Sequence, residues 1–443
     1  MVIQALNVWM NGQLVGTWAQ GNRRSSKFQY DANWIKSAYA RPLSNALPMS
    51  TVDGIITGQE VTDYFDNLLP DSVDIRKRIQ SSFKTQSTEA FNLLEAIGRD
   101  CVGAVQLLPV GETPAAFEEV HGQPLSDAQI SQLLIAASSG RTLGQIFDEA
   151  SFRISIAGAQ EKTALLRVKQ QWLRPLGATP TTHILKLPLG LIGGEQRFDM
   201  TDSIENEWLC AQILKKLGFN IANTEIGNFD GTKALVVERF DRKWVDDDKW
   251  IARIPQEDFC QVFGLPSELK YEDHGGPSIE KIMRYLTASI SAHDDRLHFL
   301  KTQFVFWLLA ATDGHAKNFS VAIQPGGAFQ LTALYDVLSA WPIIGSERNQ
   351  LPYKKAKLAM AIRTKNAQYK ISEIYPRHWK AFCAKLGVPE AFDEMYTIAS
   401  NIVPAIEEIA TSLPARFPMQ LIESIKHGVS EHASRFLSME EAV

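Results

Sequence analysis

Cysteine is scarce in this chain: four in 443 residues, at Cys101, Cys210, Cys260 and Cys383, with no Cys-x-x-Cys pair among them. That pattern argues against a disulfide framework and against a zinc site. Long hydrophobic runs are missing as well. The stretch Phe304 to Ala311 falls far short of the roughly 20 apolar residues that span a bilayer. No basic segment followed by an apolar one opens the chain, so no secretory signal is expected. A cytoplasmic protein with reduced thiols and no membrane partner is the expectation. Internal repeats and low-complexity tracts are absent, and a net charge of -5 gives no global reason to bind nucleic acid.

What is present is ordinary globular composition, 45% hydrophobic and 21% charged, in a chain long enough for two or three lobes. The opening reads as a hairpin, Ile3 to Met10 and Gln13 to Trp18 around an Asn11-Gly12 turn. Pro, Gly and Glu without periodicity from Pro109 to Pro124 suggest a surface connection, followed by a short helix after Ser126-Asp127. A β-rich region starts near Phe152, and helical periodicity dominates from Ile251 onward. The expected division is a β-containing domain over 1–108, a connector over 109–150, a β-rich lobe over 151–250 and a helical lobe over 251–443.

The string ATDGHAKNFS, Ala311 to Ser320, places Asp313 five positions before Asn318, and Asp336 follows in LYD. ATP phosphoryl transfer needs a carboxylate to position the attacking hydroxyl, and an amide and a carboxylate to hold magnesium. Asp-x4-Asn is the spacing of a kinase catalytic loop, and the later Asp falls where kinases keep a metal ligand. Leu297, Leu300, Phe304, Trp307, Leu308 and Ala311 recur at helical spacing, so a buried helix delivers the loop. Phe319 to Ile323 and Phe329 to Tyr335 read as strands around Gln324-Pro325-Gly326-Gly327. Alone, Asp-Gly before polar residues is a solvated turn, and Asp336 is a helix cap. The upstream elements favour the catalytic reading.

Those elements come in kinase order. FRISIAGAQEKTALLRV, Phe152 to Val168, reads as two strands around a small-residue loop, Ala157, Gly158, Ala159, Gln160, Glu161 and Lys162. Small residues let backbone amides approach phosphates, although an ordinary hairpin loop looks similar. Ser155 lies at the loop's edge, either an ordinary strand serine or a hydroxyl close enough to a nucleotide to be phosphorylated itself. Lys186 sits in the strand Thr182 to Pro188, either a solvated strand lysine or the one that in a kinase reaches the α- and β-phosphates. The next helix, Ser203 to Leu217, carries Glu205 and Glu207, either of which would pair with it. The strand Ala234 to Phe240 ends in Glu238, Arg239 and Phe240, where a hinge would bond adenine. His315, Ala316 and Lys317 fill the space between Asp313 and Asn318, with Lys317 suited to neutralise charge on the transferring group. Between Lys354 and Lys385 nine Lys or Arg face the single Glu373, either a solvated face or a patch for phosphates or an acidic partner.

The strings FRISIAGAQEKTALLR, TPTTHILKLP, VERFDR, PQEDFCQVFGLPSELKYEDHGGP, ATDGHAKNFSV and YDVLSAWP resemble the HipA family of bacterial kinase toxins, as do the N-terminal ARPLSNALPM, YFDNLLPDS and IGRDCVGAVQLLP. The resemblance implies an α+β, two-lobe protein-kinase-like fold of the phosphatidylinositol-kinase type, with an additional N-terminal β-containing domain. It implies ATP and Mg2+ as cofactors, Asp313 as the base, Asn318 and Asp336 as metal ligands, and Lys186 on the phosphates. The loop Ala157 to Lys162 would cradle phosphates, Glu238 to Phe240 would form the hinge, and Gln256, His315 and Tyr335 would line the nucleotide site. Ser155 matches an autophosphorylation site that switches the kinase off, since a dianion on that loop repels ATP. The implied partners are a HipB-like helix-turn-helix antitoxin dimer, operator DNA through the complex with Lys385 touching it, and glutamyl-tRNA synthetase as substrate. A corepressor whose kinase is dispensable, or a small-molecule kinase on the same scaffold, are the alternatives.

Overall fold

The computed structural model describes residues 4–21, 26–49, 52–139, 160–193 and 197–438. It divides into two interleaved compact units: Met1–Leu187, Gly227–Leu269 and Ser320–Phe329 form the first, and Pro188–Ile226, Lys270–Phe319 and Gln330–Val443 the second. The chain therefore leaves and re-enters each unit.

In the first unit the opening hairpin forms as its sequence dictates. Strands Gln4–Met10 and Gln13–Gln20 pair antiparallel, and Asn11 and Gly12 both take positive φ, 45° and 77°, as a type I′ turn requires. Ser26–Tyr30, Ile55–Thr57 and Gln106–Pro109 complete a five-stranded antiparallel sheet. Its alternating apolar residues cover a core in which Trp18 stacks on Phe65 at 4.0 Å and meets Phe91 at 4.9 Å.

A second sheet of six strands runs in the order Thr224–Phe229, Thr232–Glu238, His183–Lys186, Lys162–Val168, Gln171–Pro175, Gly122–Pro124. The last of these gives the expected surface connection a short edge strand. Leu165, Leu185 and Val236 pack one face against Ile130, Leu133 and Leu134 of the helix Asp127–Ser139. Lys186 has Lys162 and Leu235 as its register partners, which puts it on the face opposite Leu185.

A buried ion cluster joins the loop at Asp100–Gly103 of the first sheet's domain to the end of the strand Thr232–Glu238. Asp100 accepts hydrogen bonds from Arg242 at 2.9 Å, Arg253 at 3.2 Å, Arg239 at 3.3 Å and the Thr181 hydroxyl at 2.7 Å. Asp241 takes the Arg239 Nη2 at 2.7 Å and the Gly103 amide at 2.7 Å. Arg239 and Arg242 also donate to the Cys101 carbonyl at 2.8 and 2.9 Å. Every charged side chain here is buried, so pairing replaces the lost hydration.

A different pair of segments of the first unit meets at Glu257, on the strand Gln256–Asp258. Its carboxyl accepts from the Ser44 hydroxyl at 2.5 Å and the Asn45 amide at 3.0 Å. Burial pushes it up to about 8, against those two hydrogen bonds and with Asp258 adding to the rise. Because the folded value is raised, Glu257 favours the fold fully below the unfolded carboxylate range and loses that contribution as pH climbs toward 8. Glu257→Gln keeps an acceptor for Asn45 and a donor for Ser44. Its melting temperature is therefore expected to gain on wild type between about pH 5 and 8; parallel curves would refute this.

In the second unit, helices Ala292–Leu308, Ala391–Ala410 and Met419–Leu437 pack around Trp307, Phe304 and Phe436, and helix Ser203–Lys216 packs against Ala391–Ala410. The region after Ile251 is less helical than its periodicity suggests: strands Trp250–Arg253, Gln256–Asp258, Lys357–Arg363 and Ala367–Lys370 interrupt it. The expected strand to Tyr335 stops at Leu331. Beyond it Leu334 makes an isolated parallel bridge to Ile221, its amide donating to the Asn220 carbonyl and its carbonyl accepting from the Ala222 amide, both at 2.9 Å. The four cysteines are buried free thiols, and among the described residues no helix is long and apolar enough to cross a membrane.

Candidate active site

Ala311 to Asn318 forms a tight loop at the end of the helix Ala292–Leu308. The helix stops through Ala310 at φ 48°, with the Ala311 amide returning to the Phe306 carbonyl at 2.8 Å, a left-handed cap. Gly314 follows Asp313 because nothing larger fits: a Cβ there would lie 2.3 Å from the Phe306 ring. The loop closes on itself. The His315 amide donates to the Asp313 carbonyl at 2.8 Å and to Asn318 Oδ1 at 3.1 Å, and the Asn318 amide donates to the His315 carbonyl at 2.9 Å. Asp313 is exposed, while His315, Ala316, Lys317 and Asn318 are buried. The carboxylate thus faces outward from a rigid base.

Asp336 is brought to the same loop by its neighbour. The Tyr335 hydroxyl donates to the Lys317 carbonyl at 2.9 Å, one residue from Asn318. Asp336 itself takes φ 59°, a left-handed conformation uncommon outside glycine and found at functional positions. Downstream, Ser339 is gripped by Asn206, amide to carbonyl in both directions at 2.8 Å. Its hydroxyl donates to the Leu309 carbonyl at 2.6 Å. Two anchors fix the Asp336 segment relative to the helix end.

The donor set suits Mg2+. Mg2+ keeps several waters and is held by one or two protein oxygens plus substrate phosphates, and an amide oxygen with one hydrogen bond retains a second lone pair. Asn318 Oδ1 and the Asp336 carboxylate provide such a set. Among the described residues no group of three or more His, Cys, Asp or Glu could hold a metal alone.

Sequence reasoning passed over Tyr271. Its hydroxyl donates to Asp313 Oδ1 at 2.5 Å, and its ring meets His315 edge-on at 5.1 Å. The Lys270 carbonyl accepts from the Ala316 amide at 3.1 Å. Nothing local in KYED announces a role, because the contact spans 42 positions.

Of the other expected residues that are described, Gln160 to Lys162, Lys186, Glu238 to Phe240 and Gln256 lie in the first unit and Glu205 and Glu207 in the second. Ser155, Ala157, Gly158 and Ala159 fall outside the described residues. Gln160 Nε2 donates to the Leu187 carbonyl at 2.6 Å, Glu161 pairs with Arg78, and Lys162 opens the strand that flanks Lys186. Lys186 is buried, not a solvated strand lysine. Glu238 is exposed at its strand's end and Phe240 half-buried, whereas Arg239 is committed throughout: its side chain bonds Asp100 and Asp241, its amide donates to the Thr182 carbonyl at 2.9 Å and its carbonyl accepts from the Arg242 amide at 3.2 Å. Gln256 is buried, and its Oε1 has no hydrogen-bond donor among the described residues, the state expected of an acceptor awaiting a ligand. Glu205 and Glu207 are both buried on the helix Ser203–Lys216.

The basic block is partly neutralised in the second unit. Lys385 Nζ lies 3.2 Å from Glu280 and donates to the Arg363 carbonyl at 2.8 Å. Arg363 pairs with Glu272, and Lys370 with Glu373 at 2.8 Å.

Residues 6–108 match the HipA N-terminal domain and residues 154–413 the HipA-like C-terminal domain. The chain belongs to the HipA family. Among its relatives is a putative kinase of Sinorhizobium fredii, Y4mE, 30% identical over 88% of this chain and 87% of that protein. The serine/threonine-protein kinase toxin HipA of Shewanella oneidensis is 28% identical over 87% of this chain and 84% of its own. The fold agrees with the Shewanella HipA solved with HipB and operator DNA: TM-score 0.78 at 24% identity, covering 98% of this chain and 97% of that one. A kinase-like α+β fold with an added N-terminal sheet domain, and the activity class of a protein kinase, follow from family membership.

Proposed function

We propose that this chain is the toxin of a type II toxin–antitoxin pair, an ATP- and Mg2+-dependent kinase that phosphorylates glutamyl-tRNA synthetase and its own Ser155. With a HipB-like antitoxin dimer it would repress its operon at operator DNA. The carrying observation is the loop that exposes Asp313, buries Asn318 and ties in the Asp336 segment through Tyr335.

In this reading Asp313 orients the acceptor hydroxyl and takes its proton as the new O–P bond forms. Asn318 and Asp336 would hold Mg2+, which when bound neutralises charge on the phosphates. Lys317 stands beside Asn318 to offset charge on the transferring group. From the first unit, Lys186 and the amides of Ala157 to Lys162 would hold phosphates, while Gln256 and the backbone of Glu238 and Phe240 would bond the nucleotide. His315 would orient the loop. Lys385 remains a candidate DNA contact, provided phosphate competes with Glu280 for its ammonium.

The test is transfer of label from γ-labelled ATP with Mg2+, with and without glutamyl-tRNA synthetase. Label is expected on the synthetase and on Ser155, and on neither with Lys186→Ala or Asp336→Ala. Label that persists in both variants would overturn the assignment, and an unlabelled synthetase beside a labelled Ser155 would overturn the substrate alone.

A further inference from the structure

We propose that Tyr271 is a positioning residue of the transfer site, its hydroxyl holding Asp313 in the place of the acceptor hydroxyl and thereby selecting against water. The inference rests on Asp313 as the base.

A phosphoryl acceptor must present its O–H to the base carboxylate within hydrogen-bonding distance. Tyr271 already does so: its O–H donates to Asp313 Oδ1 at 2.5 Å, although Asp313 is exposed. The phenol is delivered there by a braced turn. On one side the Lys270 carbonyl accepts from the Ala316 amide at 3.1 Å. On the other, the Glu272 carboxylate accepts from the Ala361 amide at 2.7 Å and pairs with Arg363. The Tyr271 carbonyl accepts from the Gly276 and His274 amides at 2.9 and 3.1 Å. Its ring stands edge-on to His315 at 5.1 Å, so it is held from the loop side too.

A water arriving at Asp313 must displace this bond with nothing but its own hydrogen bond. A protein acceptor brings the binding energy of its whole surface. In productive transfer the acceptor O–H gives its proton to Asp313 as its oxygen bonds phosphorus and the bond to ADP breaks. The phenol keeps its own proton and returns afterwards. Tyr271 is thus a gate between transfer and hydrolysis.

The experiment uses the full chain with Ser155→Ala in every protein compared, so that self-phosphorylation cannot switch the kinase off, wild type denoting the protein that keeps Tyr271. It reads steady-state ADP release with Mg2+ and ATP and no acceptor. Tyr271→Phe is expected to hydrolyse ATP about tenfold faster than wild type, the factor matching one hydrogen bond to a charged group. Tyr271→Leu, which also removes the ring from His315, should change in the same direction. Simple structural damage would slow turnover, so a gain cannot arise that way. Hydrolysis at or below the wild-type rate in Tyr271→Phe would overturn the proposal. If Asp313→Asn retains full transfer, the base assignment falls first. If Asp313→Asn is dead and Tyr271→Phe hydrolyses no faster than wild type, only the role of Tyr271 falls.

Discussion

Asp313→Asn is expected to lower transfer from ATP to any acceptor by roughly 10²–10⁴-fold, the range a positioned general base contributes. The substitution is nearly isosteric. An Asn Oδ1 still accepts the Tyr271 hydroxyl, and the backbone bond from His315 to residue 313 is untouched. Asn318 and Asp336 remain in place, so nucleotide affinity measured by equilibrium binding should be nearly unchanged. What is lost is an acceptor for the proton leaving the attacking hydroxyl. Each tenfold corresponds to about 1.4 kcal/mol of barrier, so the effect stands well clear of packing noise. A rate within threefold of wild type, with an unchanged melting temperature, would remove Asp313 from the mechanism.

Asp100→Ala should have the largest effect on stability, about 3–5 kcal/mol, as when one partner of a buried ion pair is removed. The variant leaves Arg239, Arg242 and Arg253 buried with Asp241 as the remaining carboxylate of the cluster. Burial alone would raise the Asp100 carboxyl, but Arg242, Arg239 and Arg253 overcome it and hold it well below the usual carboxylate range. Asp241 is likewise lowered, burial opposing and Arg239 and Arg242 prevailing. A depressed folded value means the stabilisation is present above the unfolded pKa, about 3.9, and is lost as pH falls through the folded one. Wild type should therefore lose stability below about pH 4, and Asp100→Ala should lose less over that interval. Denaturant unfolding at pH 7 and pH 3 checks both parts; equal stability of the two proteins at pH 7 would show the cluster to be dispensable.

Much of the helix and loop around Asp313 was legible in sequence because local spacing encodes it. The periodicity of Leu297 to Ala311 gave the helix, and the five-residue step from Asp313 to Asn318 fits one tight loop. Asn11-Gly12 gave the first turn for the same reason. What escaped notice joins residues far apart in the chain. VERFDR read as a hinge, but Arg239 and Arg242 in it are matched by Asp100, 139 positions from Arg239, and Asp241 by the Gly103 amide, and a strand end carries no mark of those partners. The basic block looked like one surface because Glu272 and Glu280, which pair with Arg363 and Lys385, come from another segment. Tyr271 was missed likewise. Periodicity reports which face of an element is apolar, not which distant polar group a side chain will meet.

The interleaving of the two units bears on how the chain is made. Among the described residues, strand Gln256–Asp258 of the first unit finds its partner only in Ser320–Ile323, immediately after the loop that carries Asp313 and Asn318. Domains fold as units while the chain emerges from the ribosome, so the first unit cannot close until about three-quarters of the message has been read. A ribosome that stalls earlier releases a product with the whole N-terminal domain and an unfinished sheet. Under the proposed function, this order of synthesis withholds kinase activity from every fragment short of that strand.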